Sequence, residues 1–231
     1  MRVFSSALLA TVLAMSAWAE KPDPVLEAAR TARDHGNADI IRQEIDHAKQ
    51  DASFQGQIRT ALLYSWLCEA LYGVEDQKGV KQAAQAGVEA AERAALLQPN
   101  SSEAHRLIGD LLGQMIPFVF GGGMRYGARS TQEVDKALEL DPSNVDAHIA
   151  RATSYLFTPA MFGGSKQKAI EHLKRAIEID PAGDTAHLWL AQVYQEMKDK
   201  TKALAELEAA RRINPSRGYL QYLLKQMGGK A

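Results

Sequence analysis

Apolar residues recur along this chain at spacings of three and four, in stretches of helical length. Each of the later stretches runs into a proline. The phrases Ala94-Ala95-Leu96-Leu97-Gln98-Pro99, Ala137-Leu138-Glu139-Leu140-Asp141-Pro142, Ala176-Ile177-Glu178-Ile179-Asp180-Pro181 and Ala210-Arg211-Arg212-Ile213-Asn214-Pro215 close four similar units. Proline cannot continue a helix, so each phrase marks a helix end. Asn100-x2-Glu103 and Ser130-x2-Glu133 have the form of capping boxes and predict helix starts. Two more apolar-periodic stretches within 25–50 flank His35-Gly36-Asn37 and predict a further helix pair. Alanine is abundant while β-branched and aromatic residues are sparse, which favours helices over strands.

The units share an internal grammar. The last reads His187-x2-Leu190-Ala191-x2-Tyr194, Ala203-x3-Leu207, Ala210, Pro215. Apart from histidine in place of tryptophan, this resembles the tetratricopeptide repeat. The preceding units are His148-x2-Arg151-Ala152-x2-Tyr155 with Ala169-x3-Leu173, His105-x2-Ile108-Gly109-x2-Leu112 with Ser130-x3-Val134, and Tyr64-x2-Leu67-Cys68-x2-Leu71 with Gly87-x3-Ala91. They are five, nine and seven residues too long between their two helices. The resemblance implies an all-α, right-handed α-solenoid of helix-turn-helix repeats. Small residues (Cys68, Gly109, Ala152, Ala191) would let paired helices approach closely, and stacked pairs would build a continuous core and a curved groove. The expected organisation is a leader over 1–19, N-terminal helices over 20–63, four repeats over 64–215, and a capping helix and tail over 216–231.

Composition narrows the function. Basic and acidic residues nearly balance, 27 against 28, so bulk charge does not argue for nucleic acid. A single cysteine, Cys68, excludes an intramolecular disulfide framework and a four-cysteine zinc site. Arg2, the mostly apolar run Val3–Met15 and Ala17-Trp18-Ala19 have the form of an export leader cleaved after Ala19. The expectation is therefore a periplasmic or secreted protein. No later segment is long and apolar enough to span a bilayer.

The chain has no Gly-x-Ser-x-Gly elbow and no His-Glu-x2-His, so no catalytic residue, metal or cofactor is expected. Gly163-Gly164-Ser165-Lys166 lacks the spacing and preceding strand of a phosphate loop and is expected to cap a helix. His105, His148 and His187 share one repeat position and are expected in the core. Pro117-x2-Phe120-Gly121-Gly122 is echoed by Pro159-x2-Phe162-Gly163-Gly164, between the helices of successive pairs. Phe118, Phe120, Phe157 and Phe162 lie in or beside these segments. Their apolar content favours loops folded back as plugs over the core; the other possibility is an exposed patch for a partner. Arg125 and Tyr126 follow the first loop. Outward positions on the first helices include Glu103, Arg106, Asp110, Thr153, Gln192 and Glu196.

The family resemblance implies a non-catalytic scaffold that binds a protein or peptide. An alternative is a small-molecule-binding accessory of a transport system, which would need an enclosed apolar pocket beneath the loops. The last 21 residues carry Arg211, Arg212, Arg217, Lys225 and Lys230 and no acid. They predict a capping helix from about Ser216 to Met227. The favoured reading is a cap, for which deleting 217–231 should lower stability while reversing Arg217, Lys225 and Lys230 barely does; the sharper reading is that its basic face meets an anionic surface.

Overall fold

The computed structural model describes residues 23–227. The leader, its cleavage site and Lys230 lie outside the described residues. Eleven α-helices are described: α1 Pro24–Asp34, α2 Ala38–Ala48, α3 Phe54–Gly73, α4 Gln77–Leu97, α5 Ser102–Met115, α6 Gly122–Leu140, α7 Val145–Phe157, α8 Lys166–Ile179, α9 Thr185–Glu196, α10 Lys200–Ile213 and α11 Gly218–Gln226. Most starts are fixed by a short polar side chain that accepts a hydrogen bond from a backbone N–H of the first turn. Asp23, Asn37, Ser53, Asp76, Ser101, Asn144, Ser165 and Asp199 do this. The stretches within 25–50 are a helix pair, and Ser165 caps a helix as expected.

Consecutive helices pack as antiparallel pairs, α1/α2 to α9/α10, with α11 as an unpaired end. The first helices α1, α3, α5, α7 and α9 touch in succession, α1 on α3, α3 on α5, α5 on α7 and α7 on α9. Among the described residues, successive second helices do not pack to a comparable extent. That inequality bends the stack: the first helices form the tight inner layer and the second helices splay outside. The architecture is an all-α solenoid. Its buried apolar residues fall into three clusters, over α1–α5, α7–α10 and α9–α11, rather than the one continuous core expected from the repeats. Cys68, Gly109, Ala152 and Ala191 are buried. A Cβ on Gly109 would lie 2.5 Å from Val134 Cγ2 and 2.8 Å from the Ser130 carbonyl oxygen, so α5 and α6 meet backbone to side chain here.

The surplus residues between repeat halves are mostly helix. In the second pair α3 and α4 have 20 and 21 residues. The start of α3 at Phe54 puts ten residues of this pair ahead of position 64. In the third pair α6 begins at Gly122, eight residues ahead of the Ser130 capping box expected from sequence. Ser130 is buried inside α6 and donates to the Gly109 carbonyl at 2.6 Å. The other expected box is displaced too. Ser101, not Asn100, caps α5, and Glu103 turns to Arg106.

The last helix caps the stack and also reaches back to its start. Leu220, Leu223 and Leu224 of α11 are buried on Leu188, Ala191, Leu207 and Ala210. The N-terminal end of α11 meets α1 and α3. Asn214 Nδ2 donates to Asp34 Oδ2 at 3.0 Å across 180 residues. Arg217 is 2% exposed and forms a two-pronged pair with Glu69 at 2.9 Å on each prong. Its remaining nitrogen donates to Asp184 at 2.9 Å, and Asp34 lies 3.7 Å away. Arg217 therefore cannot belong to a solvent-facing basic surface, as the C-terminal charge pattern suggested. Burial works against its charge, and Glu69, Asp184 and Asp34 outweigh that cost, so its pKa is raised.

Candidate partner-binding surface

The inner layer brings aromatic rings from helices far apart in sequence together as a series of four and a separate pair. Phe157 at the end of α7 meets Trp189 of α9 edge-on at 6.0 Å between centroids. Trp189 lies 6.1 Å from Tyr219 of α11, and Tyr219 stacks on Tyr222 at 6.0 Å. Tyr72, at the end of α3, packs on Phe118 at 5.3 Å. Phe157 is 65% exposed, and Tyr72 and Tyr222 are each 41% exposed. Trp189, Tyr219 and Phe118 are half-buried and hold the series in place. The Tyr219 hydroxyl donates to Gln192 Oε1 at 3.3 Å. Burial first, and the nearby Glu69 carboxylate second, push the Tyr219 phenol upward, so it remains a neutral donor. Burial also raises Tyr72, to about 12.

Beside the rings lies a polar strip whose members mostly satisfy one another. Asp110 accepts from Ser65 at 3.0 Å and from Gln114 at 3.0 Å. Arg106 is buried and pairs with Glu103. Burial opposes its charge, but Glu103, Asp146 and Asp110 outweigh burial and raise its pKa. Burial raises the Asp110 carboxyl, against the pull of Arg106. Glu103, Arg106 and Asp110 thus form an internal network rather than free partner contacts. Thr153 is half-buried and donates to the Ala150 carbonyl at 2.9 Å. Gln192 is taken up by Tyr219, while Glu196 is exposed beside Lys166. Together the surface offers flat apolar rings edged by a few amide and hydroxyl groups. It can grip an extended chain without a charged anchor.

Residues 164–227 match a tetratricopeptide repeat model. A thermophilic TPR protein of Thermus thermophilus superposes with a TM-score of 0.60 at 15% identity, over 88% of this chain and 94% of that one. The chain carries a tetratricopeptide repeat over 164–227 and has the fold of a tetratricopeptide-repeat protein. Sperm-associated antigen 1 of Mus musculus is 32% identical over 77 residues, covering 33% of this chain and 8% of that protein. Anaphase-promoting complex subunit 7 of Arabidopsis thaliana is 29% identical over 181 residues, covering 77% of this chain and 27% of that protein. The chain therefore spans under a third of the length of either curated relative.

In tetratricopeptide terms, the histidine position is a polar clasp between the helices of a pair. His105 Nδ1 meets Glu133 at 2.6 Å, and His187 Nδ1 meets Glu206 at 2.7 Å. In the pair between them, His148 Nδ1 meets His172 Nδ1 at 2.9 Å. His105 is buried, whereas His148 and His187 are half-buried, so these are bonded interface groups rather than apolar-core histidines. Among the described residues no three His, Cys, Asp or Glu side chains converge as a metal site. Cys68 is buried with its thiol directed at the Val80 carbonyl, and burial pushes its pKa up.

The loop aromatics divide into two groups. Phe118 and Phe157 join the inner wall. Phe120 and Phe162 are 107% and 72% exposed, which overturns the expectation that the loops plug the core. The backbone explains how they stand out. Gly121 and Gly163 have φ of 67° and 95°, where a side chain is strained. The glycine after each lies against a carbonyl six residues earlier. A Cβ on Gly122 would sit 2.4 Å from the Ile116 oxygen, and one on Gly164 would sit 1.7 Å from the Thr158 oxygen. Arg125 is exposed over the half-buried Tyr126 ring at 5.2 Å. Sequence reasoning passed over Tyr72 and Trp189, and placed Leu220, Tyr219 and Tyr222 only as apolar contacts of the C-terminal cap. Trp189 carried a usable signal: a large apolar residue directly beside the apolar stripe of a first helix, where polar residues are the rule.

Proposed function

We propose that this chain is an exported, non-catalytic scaffold that holds an extended protein or peptide segment against its inner wall. The observation that carries the reading is the series Phe157–Trp189–Tyr219–Tyr222, partly exposed and contributed by three different helices. Rings at such spacing offer apolar contact area at low conformational cost, and Tyr and Trp add polar tips for orientation. Aromatic residues of this kind carry most of the energy in protein interfaces. The small-molecule reading needed loops closed over an apolar pocket. Phe120 and Phe162 stand in solvent instead, which leaves it without support.

The test is photo-crosslinking from the wall in the native host, followed by capture with Phe157→Ala, Trp189→Ala and Tyr222→Ala. A wall that binds a segment predicts loss of the crosslinked species in these variants with helical content unchanged. Undiminished capture by all three contradicts the reading. Export rests on Arg2, Val3–Met15 and Ala17-Trp18-Ala19. Mass spectrometry of the native protein should find Glu20 as its first residue; retention of Met1 contradicts export.

A further inference from the structure

The loop tips of the third and fourth pairs are a different surface from the inner wall. Phe120, Met124, Met161 and Phe162 are 107%, 92%, 84% and 72% exposed. Loops normally face water with polar residues, so four protruding apolar side chains on two connections need an account. They are not slack chain. Each connection contains a 3-10 turn, Ile116–Phe118 or Ala160–Phe162, followed by a glycine in the left-handed region. Gly122 N–H and Gly164 N–H close the turns on the Val119 and Pro159 carbonyls at 2.7 and 3.2 Å. Because α5 packs on α7, the two connections stand side by side on one edge of the solenoid.

Within the two connections and their flanking helix ends the charged residues are all basic. Residues 111–132 contain Arg125 and Arg129 and no acid; residues 147–170 contain Arg151, Lys166 and Lys168 and no acid. In a chain of net charge -1 this is a local excess of cations. Arg129, Arg151 and Lys166 are paired with Glu92, Asp135 and Glu196. Among the described residues, Arg125 and Lys168 have no carboxylate partner, and they lie over Tyr126 and Tyr155 at 5.2 and 5.4 Å. The neighbouring turns on the same edge carry Glu75, Asp76 and Asp199, and those on the opposite edge Asp141, Asp180 and Asp184, so the cation excess is local to these two connections.

We propose that this edge docks on an anionic lipid bilayer. The four tips insert at the headgroup boundary, with Arg125 and Lys168 placed at the level of lipid phosphates. The geometry favours a membrane over a protein partner. Side chains this exposed are convex points, which a soft planar interface accepts without a matching cavity. Apolar points flanked by cations are the pattern of peripheral membrane attachment. This surface is independent of the inner wall, and the proposal stands whether or not that wall holds a peptide.

The experiment is vesicle flotation of the purified chain with phosphatidylcholine alone and with phosphatidylcholine plus phosphatidylglycerol. Three proteins with identical termini are compared: the parent, F120S/M124S/M161S/F162S, and R125E/K168E. The comparison isolates the loops from any binding by the N-terminal apolar run. The parent should float with the anionic vesicles, less so as salt rises. The serine variant should lose at least about tenfold in partitioning, because insertion scales with buried apolar area. The charge variant should lose roughly fivefold or more per cation on anionic vesicles only. Helical content is measured for both; if the serine variant does not fold, the charge variant decides. Failure of the parent to bind anionic vesicles at low salt overturns the proposal. So does parent-like flotation of the folded variants. If sedimentation shows that the tips hold two copies together while vesicles are ignored, the edge is a self-contact and the membrane reading falls.

Discussion

Two regions of this molecule invite opposite readings from sequence and receive opposite treatment in the fold. Arg217 sits in a cation-rich, acid-free C-terminal segment and reads as a surface charge. Phe120 and Phe162 sit in loops and read as residues that must hide. In the structure Arg217 is 2% exposed among Glu69, Asp184 and Asp34, while Phe120 is 107% exposed. The difference lies in what each backbone can reach. The start of α11 is carried to α1 and α3 by the curvature of the whole stack, so a guanidinium there finds three carboxylates from distant units. At the tips of the Phe-Gly-Gly loops left-handed glycines turn the chain and leave the Phe120 and Phe162 side chains in solvent, although Phe118 of the first loop packs on Tyr72. Charge and hydropathy are local properties; burial at these two places is set by global path and local backbone.

The sharpest way to break this contrast is at Arg217. Arg217→Met should cost about 3–5 kcal/mol, because the acids around it lose their common counter-charge inside the protein. Arg217→Glu should be worse. Urea unfolding checks both. Near-neutral effects would return Arg217 to the surface and remove one side of the comparison.

A smaller effect tests whether buried polar pairs in the repeats share the same dependence on partners. The neighbours of His172 are His148, Arg151, Asp135 and Glu171. Its pKa lies below the ordinary histidine value, chiefly through burial and then through His148 and Arg151. A lowered folded-state pKa means that the unfolded chain binds the proton more readily. The stability contributed by the pair is present above the unfolded pKa of about 6.5 and is lost as pH falls through the folded one. Urea midpoints at pH 7.5 and pH 5.5 should therefore differ more for the parent than for His172→Glu. That variant restores the histidine–carboxylate pairing of the adjacent repeats. An equal or larger drop in the variant contradicts this account of the clasp.

Smallest of all should be the effect of the exposed groups. Phe120→Ser with Phe162→Ser should change stability by no more than about 0.5 kcal/mol, as should Lys225→Glu on the exposed face of α11. Thermal melts measure it. A loss of several kcal/mol from the phenylalanine variant, the cost of emptying a core site, would mean that the tips are buried in solution.

The repeat grammar made most of the fold legible. Small residues at 68, 109, 152 and 191, closing prolines, and the His35-Gly36-Asn37 turn all read correctly because each acts on its own helix or its immediate partner. The insertion lengths were informative as well. His105–Glu133, His148–His172 and His187–Glu206 are separated by 28, 24 and 19 residues. Removing the nine and five surplus residues puts all three in one register. Helix starts were less legible. Ser130-x2-Glu133 imitates a capping box, but glycines at 122 and 123 had already begun α6. The inner wall and the Arg217 junction were least legible, since they join groups up to 180 residues apart. Their contacts depend on the curvature of the stack, which no single repeat reveals. Leu220 and Tyr219 both read as apolar contacts of a cap, yet only Leu220 is fully buried there, and Tyr219 belongs to the wall.

Hydrogen exchange in the Arg217→Met variant measures the joining of the two ends most directly. If α11 is bonded to the start of the chain through Arg217, protection should fall together in Pro24–Asp34 and at the start of α11. Amides of α5 and α6 should keep theirs. Unchanged protection in Pro24–Asp34 would contradict the junction, and with it the claim that the last helix reaches back to the start of the stack.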